Sequence, residues 1–338
     1  MRTIKVEVTE KMQKFVWSPS SLATFCGDTN FVGGCGVRLF MSRFAGPTFD
    51  VNRKHFTFGS ATHEMLENYH AGDTKPPLEQ LLEEWLPNLW IATEHKEKFA
   101  KKFGQRFVDK LEQDLPVSVR DLEIPADSKL SVEELRACFP QVGDITKYLM
   151  QGVARRWMFL GYDSAADEDM FRRTLKDVFK EYYRRDYIKP ISIEDVMEIT
   201  LDGIMVRGRI DRVDARQSGA GYMVIDYKTS KKIKTTAEME KDFQMVCYHV
   251  ATKQKYNVSD EMMQVGLFFL KPETKVKGIL IAQPMRLQIA EINQDMITKA
   301  AGAIRRAEEM VKSGQFHYVD SSAKWQCPWC DHYGLCGV

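Results

Sequence analysis

The chain has no apolar run near the roughly 18 residues that a membrane-crossing helix needs, so no membrane-embedded helical function is expected. Its opening, MRTIKVEVTEKMQKF, lacks the apolar stretch and small-residue cleavage site of a secretory signal. A cytoplasmic setting is expected, or the host cytoplasm if the chain is phage-encoded. Net charge is scarce: 48 basic against 47 acidic side chains leave +1. No global field therefore draws nucleic acid in, and any such binding must come from local patches. No Gly-x-x-x-x-Gly-Lys-[Ser/Thr] phosphate loop occurs, which excludes a built-in motor of that class. Internal repeats and low-complexity tracts are absent. Cysteines number seven, an odd count in a chain without an export signal, and a disulfide framework is disfavoured.

The 338 residues, 44% hydrophobic and 28% charged, can bury a large core in one elaborated domain or two intertwined ones. Three stretches are expected: 1–80, 81–190 and 191–338. The first holds a helix start at Ser18-Pro19-Ser20-Ser21-Leu22 and a helical run from Gly59 that carries His63. The middle stretch is dominated by helical patterns, and its aromatic and basic residues read as a packing face with a solvated back. No site is expected there. From about residue 193 the periodicity changes to that of strands: IEDVMEITLDGIMVRGRIDRVDA and GYMVIDYKTS form a hairpin through the turn RQSGAG. Thr235-x-x-Glu238 is a capping box opening a helix to about Tyr256, followed by strands VGLFFL and GILIAQPMRL and a helix over about 293–312. The order strand, strand, helix, strand, strand, helix predicts an α/β (α+β) fold.

Strand side chains alternate faces, so Asp226 and Lys228 share one side while Ile225 and Tyr227 share the other. Asp211 on the preceding strand is placed to meet them across the hairpin. A divalent ion between the two aspartates would offset their repulsion, with Lys228 as base or as positioner of an attacking water. These are the parts that phosphodiester hydrolysis needs: hard oxygen ligands, a water made more acidic, and a cation beside the developing charge. Asp-x-Lys alone is expected on the order of once by chance in such a composition. Gln244 and Tyr248, four apart on the next helix, project from one face, although such a pair is usually packing, as an isolated His63 usually is. The combination carries the reading.

Cys327-x-x-Cys330-x5-Cys336 is a compact trio of soft ligands beside Trp325, Trp329 and Tyr333. Candidates for a fourth ligand are Cys35, Cys26 and His332. Zinc accepts three cysteines and a histidine, a [4Fe–4S] cluster prefers four thiolates, and the spacing leaves the two level. Cys138 and Cys247 sit in apolar helical contexts and read as small buried hydrophobes.

The sequence resembles the RecB-type exonucleases of the PD-(D/E)xK superfamily, especially the iron–sulfur branch that includes CRISPR-adaptation exonucleases and helicase–nuclease subunits. The likeness spans most of the chain: Ser18-x-Ser20-Ser21-Leu22-x-x-Phe25, Cys35-x-x-Arg38-x-Phe40, Gly59-x-x-x-His63, Gly208-Arg209-Ile210-Asp211-Arg212-Val213-Asp214, Ile225-Asp226-Tyr227-Lys228-Thr229, Gln244-x-x-x-Tyr248 and the closing cysteines. Gly36 stands where the family usually has proline. The resemblance implies a restriction-endonuclease-like central mixed sheet flanked by helices, interrupted by a helical insertion over 81–190. It implies that His63, Asp211, Asp226 and the backbone carbonyl of Tyr227 bind Mg²⁺ or Mn²⁺ and that Lys228 is the catalytic lysine. Gln244 and Tyr248 would support the active site and the DNA strand. Cys35, Cys327, Cys330 and Cys336 would hold a [4Fe–4S] cluster, with zinc as the alternative, stapling the N-terminal region to the C-terminal one. The expected function is a metal-dependent DNA exonuclease acting on single strands or ends in recombination, repair, phage or CRISPR-associated DNA processing. A separate helicase or recombination protein is an expected partner, and a homo-oligomer would be one way for a motorless enzyme to stay on DNA. The alternative is a non-catalytic DNA-end-binding or scaffold subunit. The basic loop from Lys228 to Lys234 is expected equally as a phosphate contact or as a solvated loop.

Overall fold

The β-patterned stretch 192–215 contains two strands where the alternation alone suggested one. β2 (Ser192–Leu201) and β3 (Ile204–Ala215) are joined by Asp202 and Gly203, with φ of +53° and +77°. Two central residues at positive φ give a turn whose twist matches that of the strands, and Asp-Gly is a favoured sequence for it. The turn signal was present but was outweighed by the unbroken β pattern on either side.

A computed structural model describes residues 3–26, 35–45, 54–86, 91–117, 121, 155–216, 220–271, 273–276 and 279–318. The chain divides into two units: Met1–Gly46 with Pro190–Val338, and Pro47–Lys189. In the first unit the sheet continues through β4 (Tyr222–Lys228), β5 (Met263–Phe269) and β8 (Arg286–Ala290), in the order β2-β3-β4-β5-β8. β4 and β5 are parallel and the other neighbours antiparallel, so the sheet is mixed. A parallel pair needs a crossover, and a helix supplies it between these two strands. That helix, α3 (Phe243–Tyr256), shares the unit with α1 (Pro19–Cys26) and α2 (Gly36–Phe40). The helix expected to run from 235 to 256 is two: the capping box at Thr235 opens a single turn, Thr236–Met239, and Asp242 caps α3 afresh. β6 (Glu273–Val276) and β7 (Ile279–Ala282) form a small separate ribbon.

One face of the sheet, through Val213, Val224, Val265 and Leu267, shares a core with Leu22 and Phe25 of α1, Val246 of α3, and α4 (Gln294–Ser313). In α4 the buried positions Ala300, Ala303, Ile304, Ala307 and Val311 follow the 3.6-residue period. Complete burial of a Val or Leu side chain stabilises by roughly 1.5–3 kcal/mol relative to exposure. This is the helix-flanked mixed sheet of the restriction-endonuclease-like fold.

The beginning and end of the described chain meet in this unit: β1 (Thr3–Lys5) pairs antiparallel with β9 (Gln315–His317), Ile4 opposite Phe316. α2 lies against the same strand. A Cβ on Gly36 would sit 2.5 Å from the Met310 sulfur and 3.0 Å from the His317 backbone nitrogen, so the residue after Cys35 must be small. Proline would bring ring atoms into that space, which accounts for the glycine here.

The second unit is helical where described, with Lys54–His70, Thr93–Phe103, Gln105–Glu112 and Ala165–Tyr183 as its longer helices. Phe99, Phe103, Phe107 and Phe159 pack edge-on or tilted in its interior, and His70 Nε2 lies 2.8 Å from the Tyr182 hydroxyl. Among the described residues no helix is long and apolar enough to cross a membrane.

Candidate active site

β4 ends at the site. Its hydrophobic alternation puts Val224 and Asp226 on the core face, and Asp226 is 2% exposed. A buried carboxylate is costly unless hydrogen-bonded and paired, and here both oxygens are engaged. The Tyr248 hydroxyl donates to Oδ1 at 2.9 Å, and the Lys228 ammonium lies 2.5 Å from Oδ2. Lys228 in turn donates to Gln244 Oε1 at 3.0 Å, and Gln244 Nε2 donates to the Tyr248 hydroxyl at 2.7 Å. Four side chains thus close a ring between the end of β4 and the first turns of α3. Donation starts at the ammonium and reaches the carboxylate by two routes, through amide and phenol to Oδ1 and directly to Oδ2. Asp242 sets its register: as N-cap of α3 it accepts from the Gln244 backbone N–H at 2.9 Å.

Asp211 enters from the neighbouring strand. The β3/β4 ladder runs from Ala215–Tyr222 to Arg212–Ile225 and stops one rung short of Asp211 and Asp226. Beyond it the Tyr227 N–H donates to Asp211 Oδ2 at 2.8 Å, so a carboxylate takes the place of a backbone partner. The carbonyl of Tyr227 faces the same strand edge as its N–H, because both groups of a strand residue point one way. The adjacent Lys228 carbonyl turns to the other side and accepts from Leu270.

Electrostatics fix the protonation of two members. Burial works to lower the Lys228 pKa, but Asp226, Asp211 and Asp242 together outweigh it, and the net shift is upward. Lys228 therefore stays an ammonium at neutral pH. Burial first, then the charges of Asp226 and Asp211, push the Tyr248 phenol well above its ordinary value, so it is a neutral donor.

The donors on these strands are oxygens: two aspartates on adjacent strands and a backbone carbonyl, with Glu194 of β2 close by. An oxygen of Glu194 and one of Asp211 lie within 4.8 Å of each other. Hard oxygen donors suit Mg²⁺ or Mn²⁺ and not a thiophilic metal. The residues present therefore fit such a cation. Glu194 was not singled out in the sequence, where it looks like any polar residue at the start of a strand.

His63 lies on Lys54–His70, in the second unit. Cys35 caps α2, its sulfur accepting from the Arg38 N–H at 3.3 Å. Cys327, Cys330, Cys336 and His332 lie outside the described residues, as does Cys138, and the side chain of Cys26 is likewise not described. Cys247 is fully buried in α3. The basic loop is spoken for: Lys231 pairs with Glu273 at 2.9 Å, Lys232 with Glu238 at 2.9 Å and Lys234 with Asp242 at 2.6 Å. That favours the solvated-loop reading over a dedicated phosphate contact.

Residues 120–337 match a family model described as the PD-(D/E)XK nuclease superfamily. Among solved structures, a protein from Eubacterium rectale provisionally named an exonuclease aligns over 98% of this chain and 94% of its own, at 12% identity and a TM-score of 0.44. Another, named SSO0001, aligns over 51% of this chain and 71% of its own, at 15% identity and a TM-score of 0.25. No curated protein matches the sequence.

Proposed function

We propose that this chain, which belongs to the PD-(D/E)XK nuclease superfamily, is a metal-dependent DNA exonuclease of the RecB type that acts on single strands or DNA ends. The observation that carries this reading is the closed ring of Asp226, Lys228, Gln244 and Tyr248 with Asp211 beside it. Asp211, Asp226 and the Tyr227 carbonyl would hold Mg²⁺ or Mn²⁺, and His63 is proposed as a further ligand from the family resemblance. When bound, the cation supplies Lewis-acid stabilisation of the phosphoryl group and makes a nearby water more acidic. Lys228, held as an ammonium, orients that water and offsets charge developing on the phosphate. Gln244 fixes the direction of the lysine, and Tyr248 holds Asp226 in place by donating to it.

The same reading extends to the cysteines. Cys35, Cys327, Cys330 and Cys336 would hold a [4Fe–4S] cluster with a structural role. The position of Cys35 beside β9, the strand that leads towards the last three cysteines, supports it. Visible absorption together with iron and zinc analysis of anaerobically purified protein separates the two metals. Iron absent and zinc stoichiometric would replace the cluster by a zinc site.

The deciding experiment is hydrolysis of end-labelled single- and double-stranded DNA with Mn²⁺ or Mg²⁺ by the parent, Asp226→Ala and Lys228→Ala. Cleavage by the parent alone is expected, with products released from an end. DNA binding without cleavage under either metal would replace this reading with a non-catalytic end-binding or scaffold subunit, and internal cuts would make the protein an endonuclease. Co-purification with a helicase or recombination protein, and the mass of the assembly in solution, test the proposed partner and homo-oligomer.

A further inference from the structure

Glu194 adopts a backbone conformation that its residue type disfavours. It lies in β2 between the paired rungs Ile193–Arg212 and Asp195–Ile210, which puts it directly opposite Asp211. Its φ is +46°, in the left-handed region where a side chain crowds the backbone. Glycine or asparagine would fit there with less strain. The position also faces Asp211 with like charge: oxygens of the two carboxylates come within 4.8 Å, and opposed like charges on neighbouring strands destabilise a sheet.

One cation beside Glu194 is held only loosely. Arg209 Nη1 lies 3.1 Å from Glu194 Oε2, but the arginine side chain is 64% exposed while that of Glu194 is 16% exposed. A pair with one partner in water is worth little. Left-handed strain and carboxylate repulsion at one rung persist in a fold where something else repays them, and such positions cluster at functional sites.

We propose that Glu194 is a third carboxylate ligand of the divalent cation held by Asp211 and Asp226, supplied by the outer strand β2. The inference rests on the metal-centre reading above and deepens it, since it adds a strand and a negative charge to the site. It also gives Arg209 a role: the guanidinium restrains the glutamate and offsets its charge until the cation binds.

The test reads metal affinity, not turnover. The full chain, in metal-free buffer, is titrated with Mn²⁺ by calorimetry, comparing the parent with Glu194→Gln, Asp211→Asn and Arg209→Gln. Loss of a ligand should weaken Mn²⁺ binding about tenfold or more in Glu194→Gln, while Arg209→Gln binds as tightly as the parent or more tightly. Glu194→Gly separates folding from binding, because it removes the carboxylate while suiting the positive φ. It should melt at or above the parent temperature without metal, yet bind Mn²⁺ as weakly as Glu194→Gln. Normal affinity in both Glu194 variants, with loss in Asp211→Asn, would overturn the proposal and leave Glu194 as a structural partner of Arg209. A parent that binds no Mn²⁺ would overturn the metal centre itself.

Discussion

Two charged clusters lie on the same pair of strands, β3 and β4, and pleating turns them to opposite faces of the sheet. On one face Arg212 and Asp214, each 5% exposed, form a two-pronged ion pair: Nε donates to Oδ1 and Nη2 to Oδ2, both at 2.6 Å. The Arg212 Nη1 donates to the Tyr227 hydroxyl at 3.1 Å. This cluster is electrically balanced and geometrically complete. Burial raises the Asp214 pKa and Arg212 opposes that shift without cancelling it. On the other face Asp226 is held by Lys228, and Glu194, close to Asp211, by an Arg209 that lies largely in water. The comparison teaches how two charge clusters in one sheet can differ. The first pairs one carboxylate with one guanidinium through both prongs, and the second gathers several carboxylates, with helix donors and an ammonium holding part of their charge.

Four experiments would break or sharpen that contrast. The largest effect is expected in catalysis: Asp226→Ala and Lys228→Ala should each lower the rate of DNA hydrolysis by about 10³-fold or more, as loss of a preorganised charge at a reacting phosphate does. Cleavage by either variant within tenfold of the parent would remove the ring from the chemistry. On the opposite face the loss should appear in stability. Arg212→Ala leaves Asp214 buried without its cation and should cost about 3–5 kcal/mol, read by chemical denaturation. A variant as stable as the parent would mean that water reaches Asp214 and that the two faces differ less than their burial implies.

A smaller effect is expected from Tyr248→Phe, which keeps the ring of carbon atoms and removes one hydrogen bond to a buried carboxylate. It should cost about 1–3 kcal/mol of stability and slow hydrolysis more than it weakens DNA binding. A change in DNA affinity alone would assign Tyr248 to the substrate strand instead of Asp226.

The smallest effect lies in the capping box beside the site. The Lys232 ammonium, and next the Thr235 backbone N–H, hold the Glu238 carboxyl at about 2, below its ordinary 4.5. A carboxyl with a lowered folded-state pKa adds stability that is present above 4.5 and is lost as the pH falls towards 2. Thermal melts of the parent and Glu238→Gln should therefore differ at pH 7 and converge near pH 2, with a small difference because the group is exposed. A constant difference across that range would show that the cap acts through shape and not charge.

Much of this was legible in local pattern. The Asp226/Lys228 face, the pairing of Asp211 across β3 and β4, and the Gln244/Tyr248 helix face follow from periods of two and 3.6 residues, which the chain carries wherever it folds. Three boundaries were misread: GILIAQPMRL, expected as one strand, spans β7 and the start of β8, and two others failed for local reasons. The Asp202-Gly203 turn lay inside an unbroken β pattern, and the second cap at Asp242 followed a capping box that already accounted for a helix start. Glu194 was not legible at all, since nothing in its residue type announces a left-handed backbone within a strand. The lysines after β4 read as a basic patch because their acidic partners, Glu273 above all, come from elsewhere in the sequence.

By itself, then, the sequence determined which groups are available and which neighbours share a face, because side-chain direction along a strand or helix depends only on the local backbone. The tertiary structure decided which of those groups meet. Closing the ring requires α3 to cross from β4 to β5 with Gln244 and Tyr248 turned towards the end of β4, and that orientation is set by burial of the apolar face of α3 against the sheet. Bringing Glu194 opposite Asp211 requires a register fixed by the nine other residues of β2 pairing with β3, which no single residue specifies. Long-range burial and strand register are properties of the whole core, and for that reason the candidate groups could be read in advance while the arrangement of their charges could not.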